Sequence, residues 1–375
     1  MQYTEYELGE LLPFEQPTAY IVKSTDYSDA YATPVLTAGK SFILGKTNET
    51  DGVFDQLPVI IFDDFTTATQ FVNFRFKVKS SAMKILHINT DLVIPKYIFY
   101  RLQIIQFDHS THKRYWIQSY SKIKVLIPPL DEQFRIVAHI EELFSELDKA
   151  VGTLKTTKEQ LEVYRQAVLK DAFSCLPETV EMDKIADMID PQPSHRTPPE
   201  YKNGIPYIGI GDIDYQNKKI NFEDARKVSP EVLDEHLHRY TIHKGDFVMG
   251  KIGTIGKPYK IPDEQNYALS ANVILIQPNK EKIDPEFLFW QFSSSLVTKQ
   301  LTLGAKATSQ PAFGIKKARL LSIKICELEK QFKIIKRLEA EMSCCDNIEK
   351  TVDTALAQAD AMRQSILKQA FEGTL

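Results

Sequence analysis

The stretch Leu130-Asp131-Glu132-Gln133-Phe134, which closes as Arg165-Gln166-Ala167-Val168-Leu169-Lys170-Asp171-Ala172-Phe173, returns later in the chain. It reappears as Leu328-Glu329-Lys330-Gln331-Phe332, closing as Arg363-Gln364-Ser365-Ile366-Leu367-Lys368-Gln369-Ala370-Phe371. The offset is 198 residues with no gap, and 15 of the 43 pairs from Asp131/Glu329 to Phe173/Phe371 are identical. Ordinary residue frequencies would give about two or three. One long segment is thus repeated, with a different stretch of chain before each copy, an order that implies approximate two-fold internal symmetry.

The repeated segment reads as helix. Ile140, Leu147, Leu154, Leu161 and Val168 recur every seven residues, with Phe144 beside them, as in the seam of a coiled coil. The second copy places Leu338, Cys345, Val352, Ala359 and Ile366 at the matching positions, where the smaller side chains suit close packing. Pro128 and Pro129 precede the first helix, Asp131 and Glu132 fit its positive end, and Gly373 supplies a C-terminal cap to the second. Helices on the order of 60 Å long have no core of their own. The economical cover for each stripe is the other copy, running antiparallel.

The segments between the helices are distant relatives. Ser81-Ala82-x-x-Ile85-Leu86 matches Ser270-Ala271-x-x-Ile274-Leu275, and Pro95-x-Tyr97-x-Phe99 matches Pro285-x-Phe287-x-Phe289. Strand-like runs at Val59 to Phe62, Tyr207 to Ile210, Asp246 to Met249 and Val273 to Ile276 alternate with turn signals such as Asn203-Gly204. The predicted fold is mixed α+β: two globular domains, residues 1–129 and 176–326, joined by two long antiparallel helices, 130–175 and 327–375, that form a coiled coil.

Composition bounds the function. A chain of 375 residues, 43% hydrophobic and 26% charged, is long enough for two or three cores. No apolar run approaches the roughly 20 residues of a membrane span, and the start, MQYTEYELGE, is acidic where a signal peptide is basic. A cytoplasmic protein with no membrane partner is expected. Cys175, Cys326, Cys344 and Cys345 form no metal or disulfide framework, and His236, His238 and His243 match no zinc spacing, so these histidines read as surface and loop chemistry. Net charge is −4; residues 1–130 carry 13 basic and 13 acidic side chains, and 176–325 carry 20 and 19. Nucleic-acid contact would therefore be local, without strong nonspecific binding.

Catalytic motifs are missing. Gly245 to Lys257 suggests a phosphate loop, but Lys251 stands where a Walker A loop needs glycine, and Pro258 where it needs Ser or Thr. The run reads instead as a strand and glycine-rich turn presenting Lys251, Thr254 and Lys257. Gly209-x-Gly211 lacks the third glycine of a dinucleotide fingerprint and reads as a tight turn. Neither double proline continues into an adenine-methyltransferase motif, and no nucleophile elbow or HExxH is present. No catalytic or metal-ligating residue is assigned.

Polar loops are better candidates for DNA reading. His195, Arg196 and Thr197 lie on a proline-stiffened loop, which loses less entropy on docking. Lys306, Thr308, Ser309 and Gln310 form another, in which Gln310 suits adenine and Lys306 a phosphate. In the first segment, His112, Lys113, Arg114 and Tyr115 occupy the equivalent place before the helix, and Thr66 and Thr67 lie where the glycine-rich turn lies in the second.

Several features together resemble the specificity (S) subunits of type I restriction-modification systems. They are Ile127-Pro128-Pro129-Leu130-x-Glu132-Gln133, the Gly245 to Lys257 run, Tyr207 to Ile213, Thr308-Ser309-Gln310-Pro311 and the Arg363 to Gly373 helix end, in that setting of a 198-residue repeat. The resemblance implies two target-recognition domains, each docking in the major groove of one half of a split, asymmetric DNA site. The helices would set the gap, with half-sites about one turn apart on one face of double-stranded DNA. It further implies partners: two methyltransferase (M) subunits that use S-adenosylmethionine to methylate adenine, and restriction/translocase (R) subunits that use ATP and Mg. This chain would itself carry no cofactor and no catalysis. Departures are Cys326-Glu327-Leu328 in place of Pro-Pro-Leu, and a first domain without the glycine-rich turn. Two other readings compete: a coiled-coil-spaced protein interaction scaffold without DNA specificity, and a self-sufficient methyltransferase with a divergent motif.

Overall fold

The computed structural model describes residues 3–38, 41–107, 114–194, 196–252, 254–304 and 312–373. Its longest elements are two 45-residue helices, Leu130–Ser174 and Leu328–Glu372, whose starts and ends are each offset by 198 residues. The second stops at Gly373, where φ is +69°, a left-handed turn that glycine enters without steric cost. The chain divides into two compact units, Met1–Lys155 with Asp353–Leu375, and Thr156–Val352.

In the first unit a four-stranded antiparallel sheet runs in the order Phe14–Glu15, Met83–His87, Val59–Asp63, Thr69–Val72. Successive side chains of a strand point to opposite faces, and the apolar run Val59-Ile60-Ile61-Phe62 therefore feeds two cores. Ile60 and Phe62 pack with Leu86, Tyr97, Ile98, Trp116 and Tyr120, whereas Val59 and Ile61 pack with Leu36, Phe54, Phe76 and Ile85. A three-stranded sheet of Ile43–Thr47, Thr33–Leu36 and Lys77–Val78 covers the second face.

The second unit repeats the plan with the strand order Ala186–Ile189, Val273–Pro278, Phe247–Gly250, Pro258–Lys260. Phe247, Met249, Ile274 and Ile276 face one core, and Val248, Val273 and Leu275 the other. A smaller sheet combines Lys227–Val228, Ile205–Ile208 and Ala268–Leu269. The strand expected over Tyr207 to Ile210 stops at Ile208, because Gly209 N–H donates to the Asp212 carboxylate at 2.8 Å and the chain turns into a short 3-10 helix, Ile210–Asp212.

A buried glutamine anchors each long helix to the sheet of its own unit. Gln133 Nε2 donates to the carbonyls of Pro128 (2.9 Å) and Leu92 (3.1 Å), and its Oε1 accepts from Ile94 N–H at 2.8 Å. Gln331 Nε2 donates to the carbonyls of Cys326 (2.7 Å) and Lys282 (3.4 Å), and its Oε1 accepts from Asp284 N–H at 2.8 Å. The same amide thus closes the same gap between a helix start and the loop entering the helix at Pro95 or Pro285. The far end of each helix docks as regularly: Phe371 meets Tyr97 edge-on with ring centroids 5.2 Å apart, and Phe173 meets Phe287 at 5.4 Å.

Within each unit the two helix segments run antiparallel. Ile140 packs with Leu367 and Ala370 in the first, and Val168 and Leu169 share a core with Ile335, Leu338 and Met342 in the second. Of the seam positions, Ile140, Leu161, Val168, Leu338 and Val352 are buried, while Phe144, Leu147, Leu154 and Ile366 are half-buried. Full burial of one such side chain is worth about 1.5–3 kcal/mol.

Candidate nucleic-acid interface

The glycine-rich turn of the second unit follows strand Phe247–Gly250. A Cβ on Gly250 would lie 1.7 Å from the Thr254 carbonyl oxygen, so only glycine lets the turn fold back on itself. Gly256 N–H then donates to the Gly250 carbonyl at 3.1 Å, with Gly256 at φ +75°. Thr254 and Lys257 are exposed. The Lys257 ammonium sits 4.1 Å over the Tyr215 ring, whose hydroxyl donates to the Lys257 carbonyl at 2.9 Å, a cation–π perch that orients the lysine.

Lys251 does not point outward, which corrects its assignment as a presented DNA contact. Its ammonium is 2.6 Å from the Asp190 carboxylate and the residue is buried, because the turn curls over it. Its main chain is equally engaged: Lys251 N–H donates to the Asn272 carbonyl (2.8 Å), its carbonyl accepts from Phe313 N–H (2.9 Å), and Ile252 bridges to Ala312. Asp190 opens the loop of Arg196 and Thr197, and Ala312 and Phe313 follow residues 305–311. The turn itself, the loop after Asp190 and the chain at Ala312 and Phe313 are therefore fastened at one lysine.

The loop after Asp190 is held from a second side. Arg239 donates to the carbonyls of Pro191 and Asp190, each at 2.7 Å. His236, 1% exposed, lies with Nε2 2.8 Å from Gln192 Oε1 and Nδ1 2.8 Å from the Tyr240 hydroxyl. The amide oxygen can only accept, so Nε2 carries the proton and Nδ1 accepts from Tyr240. Burial, reinforced by the Arg239 charge, pushes the His236 pKa down to about 4, leaving the ring neutral. Gln192 Nε2 passes the order on to Ser194 Oγ (2.9 Å) and the Arg196 carbonyl (3.4 Å), while the Arg196 and Thr197 side chains stay exposed. His236 is thus a buried structural group, a correction to its reading as surface chemistry. His195, Lys306, Thr308, Ser309 and Gln310 lie outside the described residues.

In the first unit Asp64 holds the corresponding place. Asp63 pairs with Met83 across the sheet as Gly250 pairs with Val273, so the next residues, Asp64 and Lys251, are equivalent. The Asp64 carbonyl accepts from Tyr115 N–H at 3.0 Å, the counterpart of the Phe313 bond, and Tyr115 precedes Phe313 by 198 residues. Here the charges are reversed: the Asp64 carboxylate meets the Lys84 ammonium at 3.2 Å, both side chains nearly inaccessible, and Oδ1 also accepts from Trp116 N–H at 2.9 Å. Thr66 is exposed and donates to Asp63 Oδ2 at 2.7 Å, Thr67 is half-buried with φ +58°, and Arg114 is exposed. Tyr115, assigned to DNA from sequence, is 3% exposed and stacks edge-on with Phe107 at 5.0 Å; its ring gains more in the core than in a polar loop. His112 and Lys113 lie outside the described residues.

Sequence reasoning missed Asp64, Lys84, Asp190, Gln192 and Arg239, none of which sits in a recognisable motif. Among the described residues no group of three or more His, Cys, Asp or Glu could hold a metal ion, and no helix is long and apolar enough to cross a membrane.

Comparisons with known proteins find relatives in sequence and in fold. The Type I restriction enzyme EcoR124I/EcoR124II specificity subunit of Escherichia coli is 45% identical over 174 residues, covering 43% of this chain and 43% of that protein. The Type I restriction enzyme EcoBI specificity subunit of Escherichia coli is 26% identical over 276 residues, covering 66% of this chain and 58% of that protein. These matches thus span about two-fifths to three-fifths of the relatives' own length. In fold, the chain superposes with a TM-score of 0.69 on a protein solved in a study of complex assembly and conformational transition of the type I R-M system, at 17% identity, covering 100% of this chain and 98% of the other. Residues 177–358, just under half of the chain, match the type I restriction modification DNA specificity domain.

Proposed function

We propose that this chain is the DNA-recognition subunit of a type I restriction-modification complex, reading a bipartite, asymmetric target with one recognition domain per half-site. The observation that carries the reading is the doubled frame around unlike loops: the same main-chain bond joins Asp64 to Tyr115 and Lys251 to Phe313, while the side chains around it differ completely. A frame built twice with different chemistry suits two different DNA words, and the match of residues 177–358 to the type I DNA specificity domain supports it.

In this reading residues 1–129 and 176–326 are the recognition domains, and 130–175 and 327–375 are spacers that set the gap and dock methyltransferase subunits. Arg196, Thr197, Thr254 and Lys257 in one domain, and Thr66, Thr67 and Arg114 in the other, contact DNA, together with His195, Lys306, Thr308, Ser309, Gln310, His112 and Lys113. The complex works in the cytoplasm. Two methyltransferase subunits bring S-adenosylmethionine, restriction subunits bring ATP and Mg, and this chain performs no chemistry itself. A scaffold without DNA specificity would not need buried ion pairs to fix the loops.

Mapping methyladenine across a host genome with and without the gene tests the reading. One split motif with a fixed gap should vanish on deletion; contiguous or unchanged motifs would refute it.

A further inference from the structure

The buried residue at the start of each turn does more than fill space. In the second unit Lys251 joins three stretches of chain through different atoms: its ammonium holds Asp190 at 2.6 Å, its carbonyl holds Phe313 N–H at 2.9 Å, and its own backbone opens the turn after Gly250. Lys257, the other lysine of that turn, is exposed and lies over Tyr215. Asp190 is in turn followed by Pro191 and Gln192, whose carbonyl and amide are gripped by Arg239 and His236. Displacing Asp190 would therefore move the exposed Arg196 and Thr197 relative to Lys257 without unpacking the sheet, whose strand pairs do not involve this ion pair.

We propose that Lys251 is a positioning residue for base recognition: the Asp190–Lys251 pair fixes the loop after Asp190 against the 250–257 turn, so that the bases read by the second unit depend on a side chain that touches no DNA. Asp64, paired with Lys84 and bonded to Tyr115 and Trp116, does the same for the first unit with opposite charge. The inference rests on the DNA-recognition reading above. Its chemistry is electrostatic: a largely buried ion pair specifies one arrangement, and removing either partner weakens the hold on the other charge. A neutral pair would allow the loops more than one placement, which loosens base choice before it abolishes binding.

The test uses the full chain with its methyltransferase partners in cells, reading methyladenine genome-wide as a base-preference profile for each half-site separately. Lys251→Met and the milder Asp190→Asn should lower discrimination at one half-site by about tenfold while the other half-site keeps its profile. Asp64→Asn should affect the opposite half-site. The charge-swapped double variant Lys251→Asp/Asp190→Lys should recover the original profile. A purely structural role would reduce methylation of the whole motif with its profile intact. If Lys251→Met does not accumulate, Asp190→Asn decides. A folded Asp190→Asn protein with unchanged profiles, or with both half-sites altered alike, overturns the proposal. A wild-type chain that yields no split motif would instead overturn the DNA-recognition reading itself.

Discussion

Arg165 Nη1 lies 2.7 Å from Asp346 Oδ1, and the residues 198 positions away from each, Asp148 and Arg363, form an ion pair of their own. One arginine–aspartate contact is therefore made twice, once in each unit, by the antiparallel helix segments. Arg165 also reaches Glu349 at 3.0 Å, and Lys218 meets Asp346 at 2.7 Å.

Because Asp346 keeps 43% of its side chain exposed, solvent screens this pair, and Arg165→Met should cost only about 1 kcal/mol in urea unfolding. Burial opposes ionisation of Asp346, yet hydrogen bonds from Lys218 and Arg165 hold its carboxyl below the ordinary 3.8. A depressed carboxylate contributes stability above its unfolded pKa and loses it as the pH falls through the folded value. Asp346→Asn should therefore remove part of the acid sensitivity below about pH 4 and lower neutral stability by up to about 1 kcal/mol, the contribution that acid would otherwise titrate away.

The anchoring glutamines predict a larger effect. Gln133→Leu strands one buried N–H and two carbonyls, and Gln331→Leu does likewise, so each should cost about 2–3 kcal/mol. Denaturant unfolding measures this; a loss under about half a kcal/mol would show that water takes over the bonds.

His236 predicts a pH dependence with the opposite chemistry and the same sign. Its folded pKa, about 4, lies below the unfolded 6.5, so its contribution is complete above 6.5 and declines as the pH falls toward 4. Unfolding free energy should drop by about 2 kcal/mol between pH 7 and pH 5, and His236→Gln should flatten that portion of the curve.

Lys257 is exposed and perched on Tyr215, suited to a phosphate rather than a base. Lys257→Ala should weaken binding of the complex to all sequences alike and reduce the salt slope of the affinity by about 1. A changed base profile in this variant would reassign Lys257 to direct readout.

The spacer role predicts a ruler. Inserting seven residues, two turns or about 10 Å, at matching positions of both long helices should lengthen the methylated motif's gap by about three base pairs. Activity with an unaltered gap would contradict it.

The helices are legible in the sequence because of the repeat: identity at a fixed offset and heptad spacing anticipate the antiparallel pairing of Ile140 with Leu367 and Ala370. Gln133 and Gln331 stand out as identical residues, but an identity does not reveal that an amide faces three backbone groups. Asp64 and Lys251 escape notice for the converse reason. Sequence comparison registers side chains, and these two share only a carbonyl. Tyr115 misleads because its basic neighbours suggest a surface, whereas its ring follows the core set by Phe107, Trp116 and Tyr120. The overrun at Gly209 and Ile210 comes from counting apolar residues without the Asp212 carboxylate that turns the chain.

The carbonyl shared by Asp64 and Lys251 has a consequence for how such a protein can change. A joint made by the main chain tolerates any residue at its position, even one of reversed charge, provided a counter-ion is available from some neighbouring strand or loop. New recognition chemistry can therefore be installed without redrawing the scaffold: the frame is written in backbone, and the message in side chains.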